Sequence, residues 1–160
     1  MHCAFGNSQS ESRAAIAVLL AAATANADNH SLDDKTSAAL DAAIAGEHRS
    51  DRNRARDAFR RPKETLAFLG FRSDMTVVEI SPGGGWYTEV LAPAVRDGDK
   101  LYASHYGVNQ GNFQRRSLGG FLRKLGESPD VYDQVVVTDG SGVDGAPIAP
   151  LNSADLVVTF

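Results

Sequence analysis

The sequence has a single cysteine, Cys3, close to its first residue. That excludes an internal disulfide framework and any cysteine-based zinc site. Its four histidines, His2, His30, His48 and His105, are scattered without ligand spacing, so no metal is expected. Positive charge is not in excess: 16 Lys and Arg face 20 Asp and Glu, for a net charge of −4. A general nucleic-acid binder is thereby disfavoured, although a local basic face is not. No apolar run is long enough to span a bilayer. What is present is ordinary globular composition, 42% hydrophobic and 22% charged over 160 residues, enough for one modest domain.

Residues 1–27 read as a cleaved signal peptide. Arg13 precedes the apolar run Ala14 to Ala23, and Ala25-Asn26-Ala27 supplies an A-x-A cleavage pattern. The mature chain would begin near Asp28, be exported to the periplasm, and keep no membrane span. The cleavage point lacks a cysteine, which argues against a lipoprotein. A cytoplasmic protein that starts with an Ala-rich amphipathic helix is the competing reading.

The chain is organised around Val77 to Pro93. Val77-Val78-Glu79-Ile80 reads as a buried strand. Ser81, Pro82, Gly83, Gly84 and Gly85 force a sharp turn and leave room for something to approach. From Trp86 the period becomes helical, with Trp86, Val90, Leu91 and Val95 on one face. Strand, glycine turn and helix form a Rossmann-type βα unit whose turn favours a carboxylate or phosphate.

Before this unit, Ser31 to Ala45 reads as a helix, capped by Ser31 and stopped by Gly46. His48 to Lys63 is strongly basic, with a solvated helix face as the default reading and an anion- or acceptor-facing role as the sharper one. Ser50 is expected to cap a helix there, Asp57 to pair with Arg61, and Pro62 to start a further helix. Residues 28–70 thus form a helical extension, and 71–160 a Rossmann-like domain. After the central helix come a strand at Lys100 to Ser104, a helix at Phe113 to Leu125, and strands at Val135 to Thr138 and Ala154 to Phe160. Strands alternating with helices predict an α/β fold with a doubly wound, mostly parallel sheet.

Three competing signatures fail on one or two positions each. The nicotinamide fingerprint G-x-G-x-x-G needs a glycine where Thr88 stands. A weak calcium-loop likeness from Asp139 has Pro150 where a bidentate Glu belongs. The five-residue G-x-S-x-G frame around Ser141 lacks both outer glycines.

Glu79-Ile80-Ser81-Pro82-Gly83-Gly84-Gly85 resembles motif I of class I S-adenosylmethionine (SAM)-dependent methyltransferases, an acid followed by G-x-G-x-G, with Ser81 at the first glycine. RRPKETLAFLGF (60 to 71), KLYASHY (100 to 106) and ADLVVTF (154 to 160) extend the likeness to a group of predicted bacterial methyltransferases with export signals, over about two thirds of the chain. The resemblance implies that Glu79 and the Ser81 to Gly85 loop hold the methionine end of SAM, with N–H groups near Gly85 facing its carboxylate. It implies that His105 stands where an acid binds the ribose, so that His105→Asp would preserve or improve affinity. Asp139 would accept from the adenine amino group, and the methyl acceptor is unspecified. The resemblance also implies a seven-stranded sheet, of which four strands are legible, so the chain reads as a SAM-binding half cut off after its fourth strand. Such a half would bind SAM without turnover and self-associate through that strand. An inactive Rossmann-like binding module is the alternative, and an NAD-dependent oxidoreductase a more distant one.

Overall fold

A computed structural model describes residues 31–160 apart from 99 and 142–145. The expected signal peptide lies outside the described residues. Four short runs form the sheet, three of them rich in β-branched residues: β1 (Val77–Ile80), β2 (Leu101–His105), β3 (Val135–Asp139) and β4 (Leu156–Thr159), with β2 the exception. Every pair is parallel, in the order β3-β2-β1-β4. The chain adds β2 and β3 on one side of β1 and then returns to place β4 on the other. This reversal makes a topological switch point between β1 and β4, at whose carboxyl edge such sheets bind ligands. The fold class is therefore α/β with a Rossmann-like sheet.

Register decides which face is buried. Val77 lies opposite both Leu101 and Leu156, and Leu101 opposite Val135. These four share a face with Val158 and pack into one core with α5 (Thr88–Ala94), whose Val90 and Leu91 are fully buried. Burying two such side chains contributes about 1.5–3 kcal/mol each, and Leu91→Ala would cost about 2–5 kcal/mol. The opposite face carries Ile80 and Val157, both exposed.

The helical extension belongs to the same compact unit, which runs from Leu32 to Phe160. It comprises α1 (Asp34–Ala45), α2 (Asp51–Arg54), α3 (Asp57–Arg60) and α4 (Pro62–Phe68). Leu40 and Ala43 of α1 and Leu66 of α4 join the core beneath α5. The N-cap of α1 is Asp33, not Ser31. Its carboxylate accepts from both the Thr36 N–H (2.8 Å) and the Thr36 hydroxyl (2.7 Å), which one serine hydroxyl could not match. Ser50 caps α2 and Pro62 opens α4 as expected. Helix α6 (Asn112–Glu127) buries Leu118 and Phe121, and the short α7 (Pro129–Tyr132) buries Tyr132. Among the described residues no helix is long and apolar enough to cross a membrane.

The sheet is closed at its start by Asp155. Its carboxylate accepts from the Thr76 N–H at 2.9 Å, while the Thr76 carbonyl accepts from Asp155 N and Leu156 N.

Candidate functional site

The glycine turn sits at the carboxyl end of β1 and is built on left-handed backbone. Ser81, Gly83 and Gly85 have φ of 56°, 57° and 75°. Only glycine adopts such angles without steric cost, so Ser81 carries strain that the rest of the turn must hold in place. Two hydrogen bonds do so: Ser81 N–H donates to the Ser104 carbonyl (2.9 Å) and Gly85 N–H to the Pro82 carbonyl (2.8 Å). Of the N–H groups near Gly85 expected to face a ligand carboxylate, that of Gly85 itself is thus engaged within the turn. Gly85 is also held by contact, since a Cβ there would stand 3.0 Å from the Phe121 ring. Around Gly83 and Gly84 the ground is open, with nothing within 4 Å of where a side chain would begin.

A cavity of about 570 Å³ opens beside the turn, lined by Glu79, Ser81, Pro82 and Gly84 together with side chains of the helical extension. Glu79 is 2% exposed and accepts from the Thr88 hydroxyl at 2.6 Å. Burial pushes its carboxyl up to about 7, against the opposing effects of Thr88 and the Lys124 charge. A second cavity of about 480 Å³ lies on the other side of the turn, across the ends of β1 and β2. Ser81, Ser104, His105 and Tyr106 line it, with Gln110 from the turn before α6 and Gln114 from α6 itself.

His105 does end β2 beside the turn, but both its ring nitrogens are bound to backbone. Nδ1 accepts from the Tyr106 N–H (2.7 Å), which places the ring proton on Nε2, facing the Gly83 carbonyl at 3.1 Å. Burial lowers its pKa, the Gly83 bond opposing. The neutral imidazole therefore pins the turn to β2 and leaves no nitrogen for a ribose hydroxyl. Asp139 is the last residue of β3, one position further into the strand than expected, and accepts from the Ser141 N–H at 2.8 Å. That hydrogen bonding holds its carboxyl below the usual range. Gly140 and Ser141 line the second cavity, and Asp139 does not.

The basic segment is not simply a solvated face. Arg49 is fully buried, and its guanidinium forks onto Asp57 at 2.7 and 2.8 Å and bonds the Ile44 carbonyl at 3.0 Å. Asp57 therefore pairs with Arg49 and not with Arg61, because the two-pronged contact offers a geometry that an exposed pair lacks. Beyond it stands Glu89 of α5, 2% exposed on its side chain, 3.5 Å from Arg49 Nε, hydrogen-bonded by Asn53 Nδ2 (2.7 Å) and paired with Lys124. Burial opposes the Arg49 charge, but the Asp57 hydrogen bonds and the two carboxylates outweigh it and hold its pKa high. His48 Nε2 bonds the Glu89 carbonyl, and Trp86 Nε1 donates to the Asn53 carbonyl. Arg49, Glu89, Asn53, Lys124 and Tyr132 were not legible as site residues. The eight-residue separation of Arg49 and Asp57 spans two helices and fits no helical pairing rule. Two arginines, Arg56 and Arg60, also lie over the Trp86 ring, at 5.6 and 5.2 Å from its centre.

Among the described residues no group of His, Cys, Asp or Glu could hold a metal ion. No protein-family model matches the chain, and no curated protein matches it. The fold and the geometry of the turn thus define an α/β protein with a ligand-sized cavity on each side of a glycine turn.

Proposed function

We propose that the chain binds SAM across the glycine turn and serves as the SAM-binding part of a methyltransferase. One observation carries the reading: the open ground over Gly83 and Gly84 lies at the switch point of the sheet with a cavity on either side. The residues fit the methionine end. Glu79 lines the larger cavity as an acceptor for the ligand's ammonium group, and ligand binding there would draw its carboxyl back to the charged form. The smaller cavity would take the adenosine, with Gln110 and Gln114 supplying the donors and acceptors that His105 does not. Bound SAM would supply a methyl group on a sulfonium for in-line transfer, and the protein's part is positioning.

A second reading, a binding module that holds the nucleoside without transferring methyl, is favoured by His105, whose ring is committed to the backbone. Calorimetry with SAM, S-adenosylhomocysteine and NAD tests the cofactor, and labelled SAM tests turnover. SAM and S-adenosylhomocysteine are expected to bind and NAD not. Gly84→Leu should keep the melting temperature, since its side chain enters open space, and abolish binding. SAM binding that survives Gly84→Leu would place the ligand elsewhere.

A further inference from the structure

The larger cavity has a wall that the cofactor reading leaves unused. Arg52, Arg56 and Arg60 line it at intervals of four residues, making one ridge across α2 and α3. Among the described residues none of the three has a carboxylate within ion-pair distance, whereas Arg49, Lys63, Arg72, Arg96 and Lys124 each have at least one. The acids on the same walls offer them little. Glu89 gives Oε1 to Asn53 and Lys124 and faces Arg49 Nε with Oε2 at 3.5 Å, and Glu79 is held by the Thr88 hydroxyl. Glu127 remains as a lining acid. The same cavity is lined by an unused donor: the Tyr132 hydroxyl has no hydrogen-bond partner although the residue is only 3% exposed. A buried, unpartnered hydroxyl at a cavity wall is costly unless something else meets it.

We propose that the Arg52-Arg56-Arg60 ridge binds an oxyanion, a phosphate or carboxylate carried by a small molecule, and that this molecule is the methyl acceptor. The acceptor assignment rests on the SAM reading above; the anion site does not. Guanidinium forks match both oxyanions in two-pronged geometry, and stacking of Arg56 and Arg60 on Trp86 holds two of them in place before a ligand arrives. The ridge is poorly matched to SAM, whose sulfonium and ammonium outnumber its one carboxylate. Three unpaired guanidiniums repel a net cation and attract an anionic partner beside it.

The test is calorimetry at low ionic strength with phenyl phosphate and phthalate as anionic probes and benzyl alcohol as a neutral one, each with and without S-adenosylhomocysteine. At least one anion should bind, with the two anions distinguishing phosphate from carboxylate, and benzyl alcohol should not. Arg52→Gln and Arg60→Gln should each weaken the anion roughly tenfold, while Arg72→Gln, on the exposed pair with Asp74, should leave it unchanged. Arg52 does not stack on Trp86, so its variant reports charge without disturbing the fold. Equal affinity in the two ridge variants, or equal affinity for the neutral probe, would overturn the site. Anion binding lost on adding S-adenosylhomocysteine would show that the ridge serves the cofactor and overturn the acceptor role. Anion binding with no heat from S-adenosylhomocysteine would support the anion site and remove the acceptor role with the SAM reading.

Discussion

Replacing Arg49 by methionine tests whether the buried ion network joins the helical extension to the glycine turn. Methionine approximates the volume but removes the fork on Asp57, the bond to the Ile44 carbonyl and the charge facing Glu89. Breaking a buried pair from one side costs about 3–5 kcal/mol, because the partner charge stays behind. Two features place Arg49→Met at the lower end. Asp57 is 21% exposed and can recover some hydration, and Glu89 keeps Asn53 and Lys124. A loss of about 3 kcal/mol is therefore expected, against a total stability of about 5–15 kcal/mol for such a domain. Urea unfolding followed by circular dichroism would read it directly, and the melting temperature should fall by about 10 °C. The double variant Arg49→Met/Asp57→Asn should lose little more than Arg49→Met alone, giving a coupling of about 1.5 kcal/mol or more. A loss below about 1 kcal/mol, or additive losses, would refute the network.

Three further outcomes follow from the turn and its neighbours. The Glu79 carboxyl titrates near 7 in the folded chain against 4.5 ordinarily, so between those values the folded state keeps a proton that the unfolded state has released. Stability should fall as pH rises from about 4.5 to about 7, by roughly 3 kcal/mol, and Glu79→Gln should flatten that decline in urea midpoints measured across the range. An identical decline in both proteins would contradict it. His105→Leu leaves the Gly83 carbonyl and the Tyr106 N–H without partners, at about 1–3 kcal/mol, and His105→Asp would bury a charge in the same place. Both should lower the melting temperature and loosen SAM, in contrast to the preserved or improved affinity expected of Asp from motif comparison alone. Ser81→Gly should raise stability by about 0.5–1 kcal/mol, since relief of a left-handed serine exceeds the entropy that glycine adds. A destabilised Ser81→Gly would show that the serine hydroxyl, not the backbone, matters there.

The strand, turn and helix around Gly83 to Gly85 were legible because each has its own signal: β-branched residues, a glycine cluster, and a helical repeat at Val90, Leu91 and Val95. Positions of the four strands followed from the same reasoning. The burial of Arg49 was not legible, since a run dense in arginine looks solvated whichever member turns inward. Periodicity also could not report that Asp57 would meet Arg49 across a helix break. The basic run from His48 to Lys63 was visible, with an anion- or acceptor-facing role as its sharper reading, but only the fold shows that Arg52, Arg56 and Arg60 border a cavity. His105 was placed correctly at the end of β2, yet its ring contacts depend on where the Gly83 carbonyl and Tyr106 N–H point, and those are tertiary facts.

The Asp155 clasp bears on the order in which the molecule assembles. Its carboxylate meets Thr76 across 79 residues of chain, whereas β1 and β2 are joined through a single short helix. Closing so long a loop must precede any gain from the contact, so β4 is the strand least able to nucleate. The glycine turn and its flanking strands can form first as a local unit, with β4 docking onto the finished β1 edge afterwards. The clasp then acts mainly on escape from the native state: it slows unfolding and leaves the rate of folding nearly untouched.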